Sequence, residues 1–364
     1  MRKFFEDIMH DRQRGLLTLP LRFVLRVLSV FFGMVTSWRN FLYDRNIIRA
    51  HQVPCRIVSI GNLTVGGTGK TPLVIMTARM LVERGVNVAV VSRGYGRASR
   101  GTIVVSDGEK IVQPDQAGDE PHLIASALPG VPVVVGGNRV RAATFAYERF
   151  RPEVILLDDG FQHRKLYREM DIITMDACNP IGSEYLLPRG TLRESPWGLK
   201  RAKAVVFTRL DDTHDRERCE RMVRYYDRNI PVFWTRMQIT GIRNPVTGET
   251  EDAAALAGKK VTALSNIADP ASFHRLLEEA GADIVKRSLR PDHHRYAAEE
   301  LAAIVRDARE AGAEMLVMTA KDERNLPAGW TVEGISPHVL DVEAVLIENE
   351  EDYRSRVFPR TGKK

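Results

Sequence analysis

Cysteine is scarce in this chain: three residues in 364, Cys55, Cys178 and Cys219, with no CxxC pair. A disulfide framework and a cysteine zinc site are therefore excluded, and a reducing compartment is expected. Aromatic residues reach only 7%, charged residues 27%, and no apolar run approaches the roughly 20 residues that a multi-span membrane protein repeats. Disordered and collagen-like classes fail on the same composition, which is 44% hydrophobic with Gly 27 and Pro 18. What remains is a folded chain long enough for two domains.

The formal net charge of +6 is unevenly placed. Residues 1–56 carry Lys3 and nine arginines against Glu6, Asp7, Asp11 and Asp44, while the other 308 residues hold 43 basic and 43 acidic groups. A basic segment on a neutral body predicts one anionic partner surface. Within it, residues 16–43 read LLTLPLRFVLRVLSVFFGMVTSWRNFLY, where Arg22, Arg26, Ser29, Gly33 and Ser37 form one narrow polar stripe at helical spacing. The rest of that helix is apolar. Only twelve uncharged residues separate Arg26 from Arg39, so the helix is expected to lie in a membrane interface, with Trp38 and Tyr43 at headgroup level. The alternative is a helix packed on the core or on a second copy. Arginines interrupting the apolar region, with no small-residue cleavage site after it, argue against a cleaved signal peptide.

Arg56 to Ile60 is a β-branched run suited to a buried parallel strand, and Gly61-Asn-Leu-Thr-Val-Gly-Gly-Thr-Gly-Lys-Thr71 follows it into a helix from Pro72 to Glu83. Strand, glycine-rich loop, Gly-Lys-Thr and helix is the P-loop arrangement, which wraps nucleotide phosphates in backbone N–H groups. Gly66, Gly67, Thr68 and Gly69 would line it, Lys70 would reach the β- and γ-phosphates, and Thr71 would ligate Mg²⁺. Thr64 stands where the usual pattern has glycine. Val154-Ile-Leu-Leu-Asp158-Asp159 supplies the acid-ended neighbouring strand that such a site needs.

Further strands are expected at 86–91, 131–135, 171–175 and 204–208, giving a doubly wound α/β parallel sheet that ends near residue 210. A smaller α/β domain over 211–364 is expected from strands near 232–234, 261–264 and 315–319 and helices near 270–279 and 297–311. The basic helix over 1–45 and a P-loop domain over 46–210 complete the division.

Several loops then carry more than composition: Ser92-Arg-Gly-Tyr-Gly-Arg97, Gly118-Asp-Glu-Pro121, Asp158-Asp-Gly-Phe-Gln-His163, residues 187–194 and Pro291-Asp-His-His294. With the P-loop, in this order and spacing, they resemble the tetraacyldisaccharide 4'-kinase family, the lipid A 4'-kinases, from the N-terminal helix to about Asn325. The resemblance implies a peripheral enzyme of the inner membrane's cytoplasmic face that moves the γ-phosphate of ATP, with Mg²⁺, onto the 4'-hydroxyl of a lipid A disaccharide 1-phosphate precursor. It implies Asp119 as general base with His293 as its orienting partner, and Glu120, Asp158 and Asp159 as cation-binding acids. Arg139, Gln162, Arg193 and Glu194 are implied beside the substrate's sugar and phosphate. His294 is expected to be structural. Ser265 to Pro270 and Ala320-Lys321-Asp322 depart from the family pattern, which leaves the adenine contacts unassigned.

Two rival classes share some of these features. A membrane-associated P-loop switch or partitioning ATPase would share the anchor and the loop, but Lys321 and Asp322 are adjacent, so the guanine-reading spacing fails. A nucleic-acid binder needs basic residues on the folded body, and that body is neutral.

Overall fold

The computed structural model describes residues 7–10, 15, 18–210, 214–267, 270–290, 294–327, 329–331 and 334–358. The chain forms two compact units: residues 1–236 with 346–364, and residues 237–345. The first unit thus runs past the boundary expected near 210. The reason is local: the helix Arg216–Tyr226 turns Cys219 and Val223 into the first unit's core, and the next strand pairs with that unit's sheet. The chain returns at Leu346, and its last described helix, Glu350–Val357, also belongs to the first unit.

The first unit's sheet contains β1 (Arg56–Gly61), β2 (Val88–Ser92), β3 (Ile103–Ser106), β4 (Val133–Val135), β5 (Val154–Asp158), β6 (Met170–Asp176), β7 (Ala204–Thr208) and the start of β8 (Val232–Arg243). Their spatial order is β8-β7-β6-β1-β5-β2-β4-β3. All pairs are parallel except that between β3 and β4. β5 reads Val-Ile-Leu-Leu before its aspartate, and β1, β5 and β7 are buried almost throughout, as central strands of a parallel sheet are. β1 has β5 on one side and β6 on the other, so the chain's order switches direction there and the loop after β1 opens into the crevice at the strand ends.

The second unit holds β9 (Thr250–Glu251), β10 (Lys260–Ser265), β11 (Asp283–Leu289), β12 (Met315–Thr319) and β13 (Ser336–Leu346), in which β11-β10-β12-β13 run parallel. Helices Pro270–Glu279 and Ala298–Glu310 bury Phe273, Leu277, Leu301 and Ile304 against it. Cys55, Cys178 and Cys219 are all free.

Near the N-terminus, Leu19–Asp44 forms a 26-residue helix. By length, and by the mean hydropathy of 1.7 over its most apolar 18 residues, it could cross a membrane. Ser29 and Gly33 of its narrow stripe face the protein, while Arg26 is exposed. Ser29 Oγ donates to the Leu186 carbonyl at 2.7 Å, and a Cβ at Gly33 would lie 2.7 Å from Leu186 Cδ1, so a larger residue there would require the Leu186 side chain to shift. The stripe continues through Thr36, which is buried, and Asn40, while Ser37 is exposed. Phe23, Val24, Val30, Phe31, Met34, Val35 and Trp38 are left more than half exposed on the other sides.

Candidate functional site

The loop between β1 and the helix Lys70–Glu83 is fixed from three directions. Loop residues 63–65 pair with 191–193: Arg193 N donates to the Leu63 carbonyl and Val65 N to the Thr191 carbonyl, each at 2.7 Å. That bridge explains Thr64, which is buried and outside the left-handed region, so glycine has no function there. From β6, Thr174 Oγ1 meets Thr68 Oγ1 at 2.7 Å, and from β7 Thr208 Oγ1 donates to the Thr68 carbonyl at 2.9 Å. Arg209 joins the Gly67 carbonyl to Asp176. Gly69 caps the helix at φ +72°, and a Cβ there would sit 2.9 Å from Thr208 Cβ. Glycine is needed for both reasons. Lys70 and Thr71 then open the first turn of the helix, whose N-terminus favours anions.

The end of β5 supplies the opposing charges. Asp158 is 2% exposed; Ser92 Oγ, at the end of β2, donates to its Oδ2 at 2.7 Å, while Oδ1 has no partner among the described residues. Burial pushes its carboxyl up to about 7, helped by the negative charge of Glu120 and opposed by the bond from Ser92. Asp159 behaves oppositely. Burial works to raise it, yet the charges of Lys70 and Arg193 outweigh burial and hold it below the ordinary carboxylate range. Lys70 Nζ lies 3.9 Å from Asp159 Oδ1, and Arg193 Nη1 donates to both Asp159 oxygens at 2.8 and 2.9 Å.

Arg193 also donates to Asn62 Oδ1 at 2.8 Å, to the Thr64 carbonyl at 3.1 Å and to Gln162 Oε1 at 3.2 Å. Gln162 in turn donates to the Asn62 carbonyl and to Glu194 Oε1, both at 2.9 Å. Glu194, expected beside the substrate, is 1% exposed, and its oxygens accept from Gln162, from Arg201 at 2.7 Å and from Asn40 at 3.1 Å. Arg139 is 2% exposed and donates one bond, to the Gly136 carbonyl at 2.9 Å; Nε and Nη2 have no partner among the described residues. Burial lowers its guanidinium to about 10 against the pull of Asp158 and Asp159. Burial and the Arg139 charge likewise lower His163 to about 4, so that ring is neutral at physiological pH.

Asp119 and Glu120 open the helix Asp119–Ala127 after Gly118. Asp119 is half-buried, and Glu120 is exposed yet close enough for its charge to act on Asp158. His293 lies outside the described residues. His294 has a different setting, with Nε2 2.7 Å from Glu300 Oε2 and its ring edge-on to Tyr296 at 5.3 Å. Among the described residues no three His, Cys, Asp or Glu side chains converge as a metal cage. Asn62 and Ser92 lie in the quoted motifs but received no role, and Thr174, Thr208 and Arg209 had no motif to mark them; for those three the available signal is a hydroxyl or arginine near the C-terminal end of a strand.

A parallel α/β sheet with a glycine loop at its switch point, a lysine at the helix start and carboxylates of opposite behaviour on the next strand defines a protein built to handle an anionic ligand. A family model described as tetraacyldisaccharide-1-P 4'-kinase matches residues 21–358. Relatives named tetraacyldisaccharide 4'-kinase include one from Syntrophus aciditrophicus, 41% identical over 89% of this chain and 88% of its own. Another, from Geobacter metallireducens, is 40% identical over 82% and 87%. Among solved structures, LpxK from Aquifex aeolicus, crystallised in complex with ATP, superposes with a TM-score of 0.74 at 31% identity, covering 93% of this chain and all of that one. The chain belongs to the tetraacyldisaccharide-1-P 4'-kinase family.

Proposed function

We infer that this chain transfers the γ-phosphate of ATP to the 4'-hydroxyl of a tetraacyldisaccharide 1-phosphate, a step of lipid A biosynthesis. The observation that carries the reading is Lys70 at the helix start, held opposite Asp159 and Arg193 beneath a loop pinned by Thr174 and Thr208. The Aquifex relative crystallised with ATP supports ATP as the donor.

In this reading the loop N–H groups and Lys70 hold the β- and γ-phosphates, so the transferred group is positioned and its charge neutralised without covalent chemistry from the protein. Thr71 and the unpartnered Oδ1 of Asp158 fit Mg²⁺, which takes only one or two protein oxygens and completes its shell with phosphate and water. Bound there, the ion would supply charge neutralisation, with Asp159 and Glu120 shaping the field. Asp119 takes the proton from the 4'-hydroxyl, and His293 orients it. Arg139, with two free N–H directions, and Gln162 and Arg193 face the sugar and phosphate.

The exposed apolar sides of Leu19–Asp44, with the basic residues around them, support a peripheral attachment to an anionic membrane, in this reading the cytoplasmic face of the inner membrane. The acceptor's acyl chains leave a bilayer at a cost of about 0.8 kcal/mol per CH₂, so the enzyme must go to the lipid. Replacing Arg22 and Arg26 with glutamate should weaken vesicle binding most at low salt, measured by co-sedimentation.

Phosphate transfer to the acylated disaccharide 1-phosphate, compared with its deacylated form, tests the function. Robust transfer to the acylated form is expected; ATP hydrolysis that ignores the acceptor would overturn it. Asp119→Ala should remove most transfer while leaving ATP binding intact by calorimetry.

A further inference from the structure

The apolar helix reaches the phosphate loop through hydrogen bonds as well as through its seat on Leu186. Asn40, in its last turn, has its amide orientation set from both ends: Oδ1 accepts from Arg39 Nη2 at 3.2 Å and Nδ2 donates to Glu194 Oε2 at 3.1 Å. Glu194 Oε2 also accepts from Arg201 at 2.7 Å, and Oε1 accepts from Gln162. Gln162 Oε1 accepts from Arg193, whose guanidinium grips Asp159, 3.9 Å from Lys70 Nζ. Every member lies in the first unit. No member of this series is without a partner, so the orientation of each is set by the next.

We propose that Asn40 is a positioning residue for phosphate transfer, fixing Glu194 and through it the Gln162–Arg193–Asp159 arrangement that faces Lys70. The inference rests on the kinase reading above. Arg201 holds the buried Glu194 carboxylate at Oε2 and Gln162 holds it at Oε1. Asn40 gives Oε2 its second donor and fixes the plane, which sets where Gln162 can present its own oxygen to Arg193. Small displacements of groups that hold a reacting phosphate cost rate steeply, even when the displaced residue is remote. The helix is therefore part of the active-site scaffold as well as a candidate membrane attachment.

The test uses the full chain and three variants. Asn40→Leu keeps the approximate size but can neither donate nor accept; Asn40→Gln keeps the carboxamide; Asn40→Asp sets a second carboxylate against Glu194. In detergent micelles containing the acylated disaccharide 1-phosphate, Asn40→Leu should lower kcat about tenfold with KM for the lipid unchanged. Asn40→Gln should recover much of that loss, and Asn40→Asp should be the worst. Co-sedimentation with phosphatidylethanolamine–phosphatidylglycerol vesicles and the melting temperature should stay near wild type in the leucine variant. Adding Asn40→Leu to Gln162→Leu should cost little more than the worse single change, because the two act in series.

Wild-type kcat in Asn40→Leu would overturn the proposal. So would a loss confined to KM for the lipid with weakened vesicle binding, which would make Asn40 a seat for the helix and nothing more, or equal losses in the leucine and glutamine variants. Absence of transfer by the wild-type protein under the same conditions would instead overturn the kinase reading, and the inference with it.

Discussion

Both sheets end a strand beside a buried aspartate, yet the two edges are built for opposite purposes. In the first unit Asp158 closes β5 with one oxygen unpartnered among the described residues, next to a glycine loop and Lys70. In the second unit Asp322, just after β12, is fully buried and turned inward. It accepts from Asn266 N at 2.9 Å and from Thr319 Oγ1, with the Tyr296 hydroxyl at 3.5 Å, tying the end of β10 to the end of β12. A carboxylate at the C-terminal edge of a parallel sheet is thus not a site in itself. A loop that leaves room and a cation that faces it make the first edge receptive, and their replacement by local donors makes the second a fastening.

The sharpest way to break this contrast is Lys70→Ala. Phosphate transfer should fall by about 10³-fold with the melting temperature nearly unchanged. Near-normal turnover would remove the distinction.

Asp322→Asn should do the reverse, changing stability and leaving ATP affinity alone. Burial raises the Asp322 carboxyl to about 6, against the bonds from Thr319 and Asn266 that favour the ionised form. A raised folded value means that the wild-type group contributes most below its unfolded value near 4, and that contribution is lost as pH rises through about 6. Relative to the asparagine variant, wild-type stability should therefore decline by up to about 3 kcal/mol between pH 4 and pH 7, read from denaturant midpoints. A fall in ATP affinity at constant stability would make the second edge a ligand site after all.

The smallest expected effect belongs to Thr208→Val, which removes the donor to the Thr68 carbonyl. About 1 kcal/mol of loop order should be lost, read as a several-fold weaker Kd for ATP with little change in kcat.

The receptive edge was largely legible in the sequence because its grammar is local. A β-branched run, a glycine loop and Gly-Lys-Thr occur within sixteen residues, and an apolar run ending in two aspartates needs no partner to be read. The fastening was not legible, since Asp322 has meaning only beside Asn266, 56 positions away. Long-range partners also hid Thr174 and Thr208, which look like ordinary strand threonines. The first unit runs past 210 for a related reason: RERCERMVRYY, residues 216–226, is highly charged, yet its buried Cys219 and Val223 bind it to the first core. β11, with Lys286 and Arg287 in its run, and β13, broken by Pro337 and Asp341, lacked the clean apolar signature of central strands.

The returning helix Glu350–Val357 gives the chain a particular order of assembly. Tyr353 is fully buried, edge-on to Phe233 at 5.2 Å, with its hydroxyl 2.7 Å from Thr77 Oγ1 in the helix that begins at Lys70. A ribosome must therefore deliver the whole second unit before the nucleotide-side unit receives its final buttress. During synthesis the loop-bearing helix waits with an open slot on its flank, and a nascent chain stopped short of residue 346 would carry every phosphate-site residue on an unfinished support.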